Sequence, residues 1–179
     1  VGNALDFDWN KNIKKFNGFD VVLGNPPYVR AKNLSEETKS LLSNWEVTKT
    51  GNPDLYIPFF EIGLEYLNPN GILGYITVNT FKRSVNARNL REYFKTNLFD
   101  LKIIDFGSSQ VFANKSTYTC IVFIQKKKSN EVKYQKISAT DFINKKVSGF
   151  TRINYNLLNT KKGWILNKPD VLENINKIE

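Results

Sequence analysis

Histidine is absent from all 179 residues. That removes the commonest general base and the commonest metal ligand. Any chemistry must come from carboxylates, amides, hydroxyls, aromatic rings or backbone groups. Methionine is absent too, and the chain opens on Val1, as a segment cut from a longer polypeptide would, or a chain whose initiator has been removed. The one cysteine, Cys120, allows neither a disulfide framework nor a multi-cysteine zinc site within a single chain. No apolar run approaches the length of a bilayer span, and no charged-then-apolar leader opens the chain. The expectation is a soluble, unsecreted protein with no membrane partner. Gly-x-Gly, the usual element of a nucleotide-cofactor loop, occurs nowhere.

What is present is a globular composition, 41% apolar and 13% aromatic, long enough for one substantial core. Twenty-six Lys and Arg face 17 Asp and Glu, a net charge of +9. Such a surface concentrates polyanions, nucleic acid above all, although lysine used for solubility gives the same balance.

Residues 19–24 carry a continuous Val21-Val22-Leu23 and read as a short buried strand. Asn33-Leu34-Ser35-Glu36 reads as a helix start. Asn52-Pro53 reads as the cap and first position of a helix bearing Tyr56, Phe59, Phe60, Gly63, Leu64 and Leu67. That helix should end at the turn cluster Asn68-Pro69-Asn70-Gly71. A strand over 72–78, a helix over 86–98, and strands over 101–106 and 117–125 follow. This alternation predicts an α/β protein with a mostly parallel sheet. Lys126-Lys127-Lys128-Ser129-Asn130 is a polar break, so the expected division is 1–128 for the main domain and 129–179 for an extension. Within that extension, 132–137 could be a strand, 140–145 a helical turn and 170–178 a helix.

The chemistry concentrates in Asn25-Pro26-Pro27-Tyr28, delivered at the carboxyl end of the first strand, where open α/β sheets bind ligands. Two consecutive prolines fix their own φ angles and push Asn25 and Pro26 toward extended backbone. Neither proline ring nitrogen donates. The result is a stiff turn presenting acceptors, the Asn25 amide oxygen and the Pro26 carbonyl, which suits a donor with two hydrogens, an –NH2 group. Two acceptors on an aryl amine would favour a tetrahedral nitrogen and localise its lone pair for attack on a sulfonium methyl. That work is positioning and electrostatics and needs no strong base. Tyr28 adds a flat face for an unstacked base. Cys120 lies in an apolar strand context and reads as a small core residue rather than a nucleophile. Asp54, Glu61 and Glu65 read as solvated-face carboxylates, and no metal-ligand cluster is evident.

The stretch from Asp20 to Arg30, DVVLGNPPYVR, resembles the catalytic motif of the gamma-class N6-adenine DNA methyltransferases, especially the domain carried by large bifunctional type II restriction-modification enzymes, of which this chain would be a partial domain. Asp6-Phe7-Asp8-Trp9, PDLYIPFFEIGLEYLNPNGILGYITVNTFKRS and IIDFGSSQVFANKSTYTCIVFIQK resemble its flanking segments, so the likeness spans roughly residues 5–128. Trp164 and its neighbours resemble the linker toward a target-recognition domain. The resemblance implies a partial Rossmann-like methyltransferase fold with an antiparallel hairpin at one edge, S-adenosylmethionine as cofactor, double-stranded DNA as partner and a prokaryotic cytoplasm. It implies that Asn25, Pro26, Pro27 and Tyr28 form the catalytic turn and that Tyr28 and Phe112 stack on a flipped adenine. Arg30, Lys32, Lys82, Arg83, Arg88 and Lys115 are the phosphate-contact expectations. The chain departs from the family in lacking the cofactor loop. The expectation is that the cofactor-binding half, the target-recognition domain and, in bifunctional enzymes, a nuclease lie elsewhere in the parent polypeptide, and that this chain alone neither binds cofactor well nor methylates DNA. The same turn would serve an RNA or protein-glutamine N-methyltransferase, and a non-catalytic DNA-binding scaffold could retain the fold.

Overall fold

The computed structural model describes residues 2–109, 111–112, 117–146 and 149–178. In chain order the elements are α1 (Trp9–Asn12), β1 (Phe19–Gly24), α2 (Glu36–Leu42), α3 (Tyr56–Glu65), β2 (Leu67–Val78), α4 (Arg88–Asn97), β3 (Phe99–Asp105), β4 (Thr119–Lys128), β5 (Glu131–Lys136), α5 (Ala139–Ile143), β6 (Thr151–Asn154) and α6 (Pro169–Ile178). The six strands form one sheet in the order β1-β2-β4-β3-β5-β6.

β1 runs parallel to β2, and β3 parallel to β5. β4 lies antiparallel between β2 and β3, and β6 is antiparallel to β5. Four strands therefore share one direction, as a mostly parallel sheet requires, although three of the five pairings are antiparallel. The edge hairpin is β5–β6. The division expected at residue 128 falls inside this sheet: β5 pairs with β3, and Val132, Ile153, Tyr155 and Trp164 belong to the main core.

α3 and α4 cover one face. Their apolar stripes, Tyr56, Phe60 and Leu64 with Leu90 and Phe94, pack over Leu73, Leu101, Ile103, Val122 and Ile124. Gly63 lets α3 approach β2 closely, since a Cβ there would lie 2.5 Å from Leu73 Cδ1. Phe60 and Phe94 are fully buried with ring centroids 5.4 Å apart. Truncating either to alanine should cost about 3–5 kcal/mol.

Three sequence expectations are corrected. β1 is not a buried strand: Val21 and Leu23 are 55% and 72% exposed. Among the described residues β1 pairs only with β2, and Val21, Leu23, Ile72 and Phe123 remain exposed. Residues 68–71 are not a turn that ends a helix. They form an irregular excursion inside β2, because Phe19 pairs with Leu67 but Val21 pairs with Ile72. Asn70 takes a left-handed φ of 65° within it, a conformation asparagine tolerates well. The helix cap expected at Asn52-Pro53 also moves, and α3 begins at Tyr56. Ser35 does cap α2, accepting from the Thr38 N–H at 3.2 Å.

The C-terminal segment is fastened to the main core. Arg91 of α4 is fully buried and donates to the carbonyls of Phe81, Ser84 and Thr160 at 2.7, 2.7 and 2.9 Å. The Trp164 N–H donates to Lys82 O at 2.7 Å. Among the described residues, no helix is long and apolar enough to cross a membrane.

Candidate active site

The Asn-Pro-Pro-Tyr turn leaves the carboxyl end of β1 and is pinned on both sides. The Tyr28 hydroxyl donates to Ile76 O in β2 at 3.0 Å, and it also reaches the Asn25 side-chain oxygen. Beyond the turn, Leu55 N–H donates to Val29 O at 2.9 Å, and Asp54 accepts from Ala31 N–H at 3.0 Å. Asn25 and Pro27 are exposed, Pro26 is buried and Tyr28 is partly buried. Burial, and to a lesser extent the neighbouring Cys120, push the Tyr28 phenol up to about 12. Its hydroxyl therefore stays protonated at neutral pH, with its one hydrogen placed between the Ile76 carbonyl and the Asn25 side-chain oxygen.

Tyr28 lines a cavity of about 1030 Å³ across the carboxyl ends of the strands. Val78 and Asn79 at the end of β2, Asp105 at the end of β3, Tyr118 before β4, and Tyr134 and Lys136 in β5 share its wall. Arg30, Lys82 and Arg83 add positive charge. This volume sits at the upper end of the small-ligand range. A second hollow, about 700 Å³, is lined by Trp45, Glu61, Tyr93 and Lys126 among others. None of the motif residues lies on its wall.

Asp105 is the electrostatic centre of the first cavity. It is 2% exposed. It pairs with Lys82 and accepts from Tyr134 hydroxyl, Asn79 Nδ2 and Gly107 N–H at 2.9, 2.9 and 3.0 Å. Burial alone would raise its carboxyl. The Lys82 hydrogen bond and charge, then Asn79 and Gly107, outweigh that and hold it below the usual carboxylate range. Lys82 thus satisfies a buried anion. The neighbouring Tyr134 phenol is pushed up by burial and by the Asp105 charge. Cys120 is fully buried and its thiol is pushed up, chiefly by burial, so it is no nucleophile at neutral pH.

The other expected residues fall as follows. Arg30 and Arg83 are exposed on the cavity wall, whereas Lys32 is exposed but off the wall. Arg88 donates to Thr50 Oγ1 at 3.4 Å. Phe112 is partly buried and belongs neither to the cavity wall nor to a core cluster. Lys115 lies outside the described residues. The sequence reading missed Asp105, Asn79, Tyr134 and Tyr118. Its one available signal was an aspartate ending the apolar run Ile103-Ile104, since a buried strand that ends in a carboxylate requires partners. Among the described residues, no group of three or more His, Cys, Asp or Glu side chains could hold a metal ion.

An α/β sheet with a proline-stiffened amide turn at its strand ends and a basic cavity beside it defines a methyltransferase-like protein. Residues 2–112 match the Eco57I restriction-modification methylase family, and the chain belongs to that family. It is 33% identical over 122 residues to the type II restriction enzyme and methyltransferase RM.Eco57I of Escherichia coli, covering 66% of this chain and 12% of that one. It is 30% identical to the type II methyltransferase M.XhoI of Xanthomonas vasicola, covering 90% of this chain and 33% of that one. The chain thus spans a third or less of these relatives. Among solved structures, the type IIL restriction-modification enzyme MmeI in complex with DNA superposes with a TM-score of 0.60 at 17% identity, over 86% of this chain and 20% of that one. The type I methyltransferase subunit from Streptococcus thermophilus gives 0.61 at 19%, over 87% and 38%. These likenesses establish the fold.

Proposed function

We propose that this chain is the substrate-amine half of a site-specific DNA methyltransferase active site in a restriction-modification enzyme, acting on the N6 amine of a flipped adenine. The observation that carries the reading is the exposed Asn25 amide at a strand end, within reach of the hydroxyl of Tyr28, the one motif residue on the wall of a cavity that arginine and lysine also line.

An amide oxygen has two lone pairs, and the Tyr28 hydroxyl, whose one hydrogen is shared with Ile76 O, engages at most one of them. The other is available for one hydrogen of an incoming –NH2 group. The Pro26 carbonyl is the second acceptor. Gripped in this way, the amine nitrogen turns its lone pair outward, where a methyl group can be attacked in line. S-adenosylmethionine supplies that methyl as an electrophilic sulfonium. The described residues do not make a cradle for it. They contain no Gly-x-Gly loop, and β1 has a strand neighbour on one side only. We propose that the cofactor binds chiefly through other parts of a longer parent polypeptide, in keeping with a chain that spans a third or less of these relatives. Tyr28 offers its ring to the adenine, Phe112 is proposed as a second aromatic contact, and Arg30, Lys32 and Arg83 are proposed phosphate contacts. No general base is required, in keeping with a chain that lacks histidine.

In the intact enzyme, Asn25→Ala should abolish methyl transfer to DNA while leaving S-adenosylmethionine binding unchanged. Transfer at the parental rate would overturn the assignment.

A further inference from the structure

Resting on the amine-binding reading of the cavity, we infer that Asn79 is a positioning residue for methyl transfer. It ties both ends of the connection between β3 and β4 to the end of β2, and so fixes the cavity wall on the far side of β2 from Tyr28. That wall is Gly107 and Ser108, which leave β3, and Thr117 and Tyr118, which enter β4.

The regular ladder stops short of this wall. Val78 pairs with Thr119 and Asp105 with Cys120, the last pairings of β4 at that end. Asn79 is the first residue of its chain past the ladder, and it continues the fastening with all of its donors. Its backbone N–H donates to Tyr118 O at 2.9 Å, holding the segment that enters β4. Its side-chain Nδ2 donates to Asp105 Oδ1 at 2.9 Å and to Gly107 O at 3.4 Å, holding the segment that leaves β3. β2 and β3 are not neighbours, since β4 lies between them. The Asn79 amide therefore crosses the end of β4 and joins strands whose backbones run about 10 Å apart.

The amide has one orientation. Both groups it meets are acceptors, a carboxylate and a carbonyl, so only the –NH2 end fits there. Asp105 also accepts from the Gly107 N–H at 3.0 Å, and Gly107 takes a left-handed φ of 59°. Lys82 and the Tyr134 hydroxyl hold Asp105 in turn. Tyr28 reaches β2 as well, through Ile76 O. The amine-binding turn and the opposite wall thus share β2 as their reference, and Asn79 is the link on the side of the wall. In-line attack tolerates little error, and a misplacement of about 1 Å costs about 100-fold in rate.

The test uses the intact enzyme, DNA from a methylation-deficient bacterium and S-adenosylmethionine with a tritiated methyl group. Rates are taken well below the melting temperature of each variant, so that a loss of stability alone leaves kcat unmoved. Asn79→Ala removes the side-chain link and should lower kcat by about 10- to 100-fold. KM for DNA should stay within about threefold of the parent, because the proposed phosphate contacts Arg30 and Arg83 are untouched, and S-adenosylmethionine binding should not change. Asn79→Asp keeps the size of the amide but turns an acceptor on the Asp105 carboxylate and Gly107 O, and should lose at least as much. A kcat within about twofold of the parent in either variant, or a loss carried by KM alone, would overturn the positioning role. Asn25→Ala, run alongside, separates the two readings. Retained activity there rejects the amine-binding site whatever Asn79 does, whereas its loss beside parental Asn79 variants rejects the positioning role alone.

Discussion

Replacing Lys82 with methionine strands the Asp105 carboxylate. Asp105 is 2% exposed, and its strongest partner is the Lys82 ammonium. Methionine approximates the lysine stem but removes the charge and the hydrogen bond. Removing one partner of a buried ion pair costs about 3–5 kcal/mol, most of it the penalty of an uncompensated charge. For a chain of this length each kcal/mol moves Tm by about 2–4 °C, so Tm at pH 7 should fall by about 6–20 °C. The pH dependence should also change sign. In the parent the Asp105 carboxyl is depressed. Its contribution is therefore full above the ordinary aspartate range and is lost as pH falls through the lowered folded value. In Lys82→Met, burial dominates and the carboxyl is raised, so protonation relieves the strain and the deficit shrinks toward pH 5. The double variant Lys82→Met with Asp105→Asn should recover much of the loss, since no buried charge remains. Thermal melts of the three proteins at pH 5 and 7 decide the matter. A Lys82→Met deficit below 1 kcal/mol, or one that grows in acid, would refute the reasoning.

Two other perturbations follow from the same geometry. Arg91→Leu removes the donor shared by the Phe81, Ser84 and Thr160 carbonyls, and should cost about 3–5 kcal/mol and expose the chain near residues 159–163 to limited proteolysis. Leu23→Lys, on the exposed face of the edge strand β1, should raise the soluble yield of this chain produced alone without lowering its Tm, as measured by centrifugation and thermal melting.

The central strands and helices were legible because their apolar residues follow strand or helix periodicity. Ile72–Val78 reads as a strand, and Phe60, Leu64, Leu90 and Phe94 fall at helical spacing. The candidate turn was legible because two prolines after a strand leave few conformations open. Other features depend on which segments become neighbours. Val21-Val22-Leu23 has the composition of a buried strand, and only the strand order shows it at an edge. The Asn68–Gly71 cluster carries turn chemistry in either setting, whether it ends a helix or bulges a strand. The polar break at 126–130 hid the continuity of β5 with the sheet, since the partner of β5 is β3, some thirty residues earlier in the chain. Lys82 looked like a solvated phosphate ligand because nothing local announces that Asp105 will be buried beside it.

The identity of the methylated base tests the central claim most directly. DNA methylated by the intact enzyme with a tritiated methyl donor can be digested to nucleosides and separated. A turn that grips an adenine amine predicts label in N6-methyl-2′-deoxyadenosine, absent when Asn25→Ala replaces the parent. Label in a cytosine product, or label that survives loss of the Asn25 amide, would contradict it.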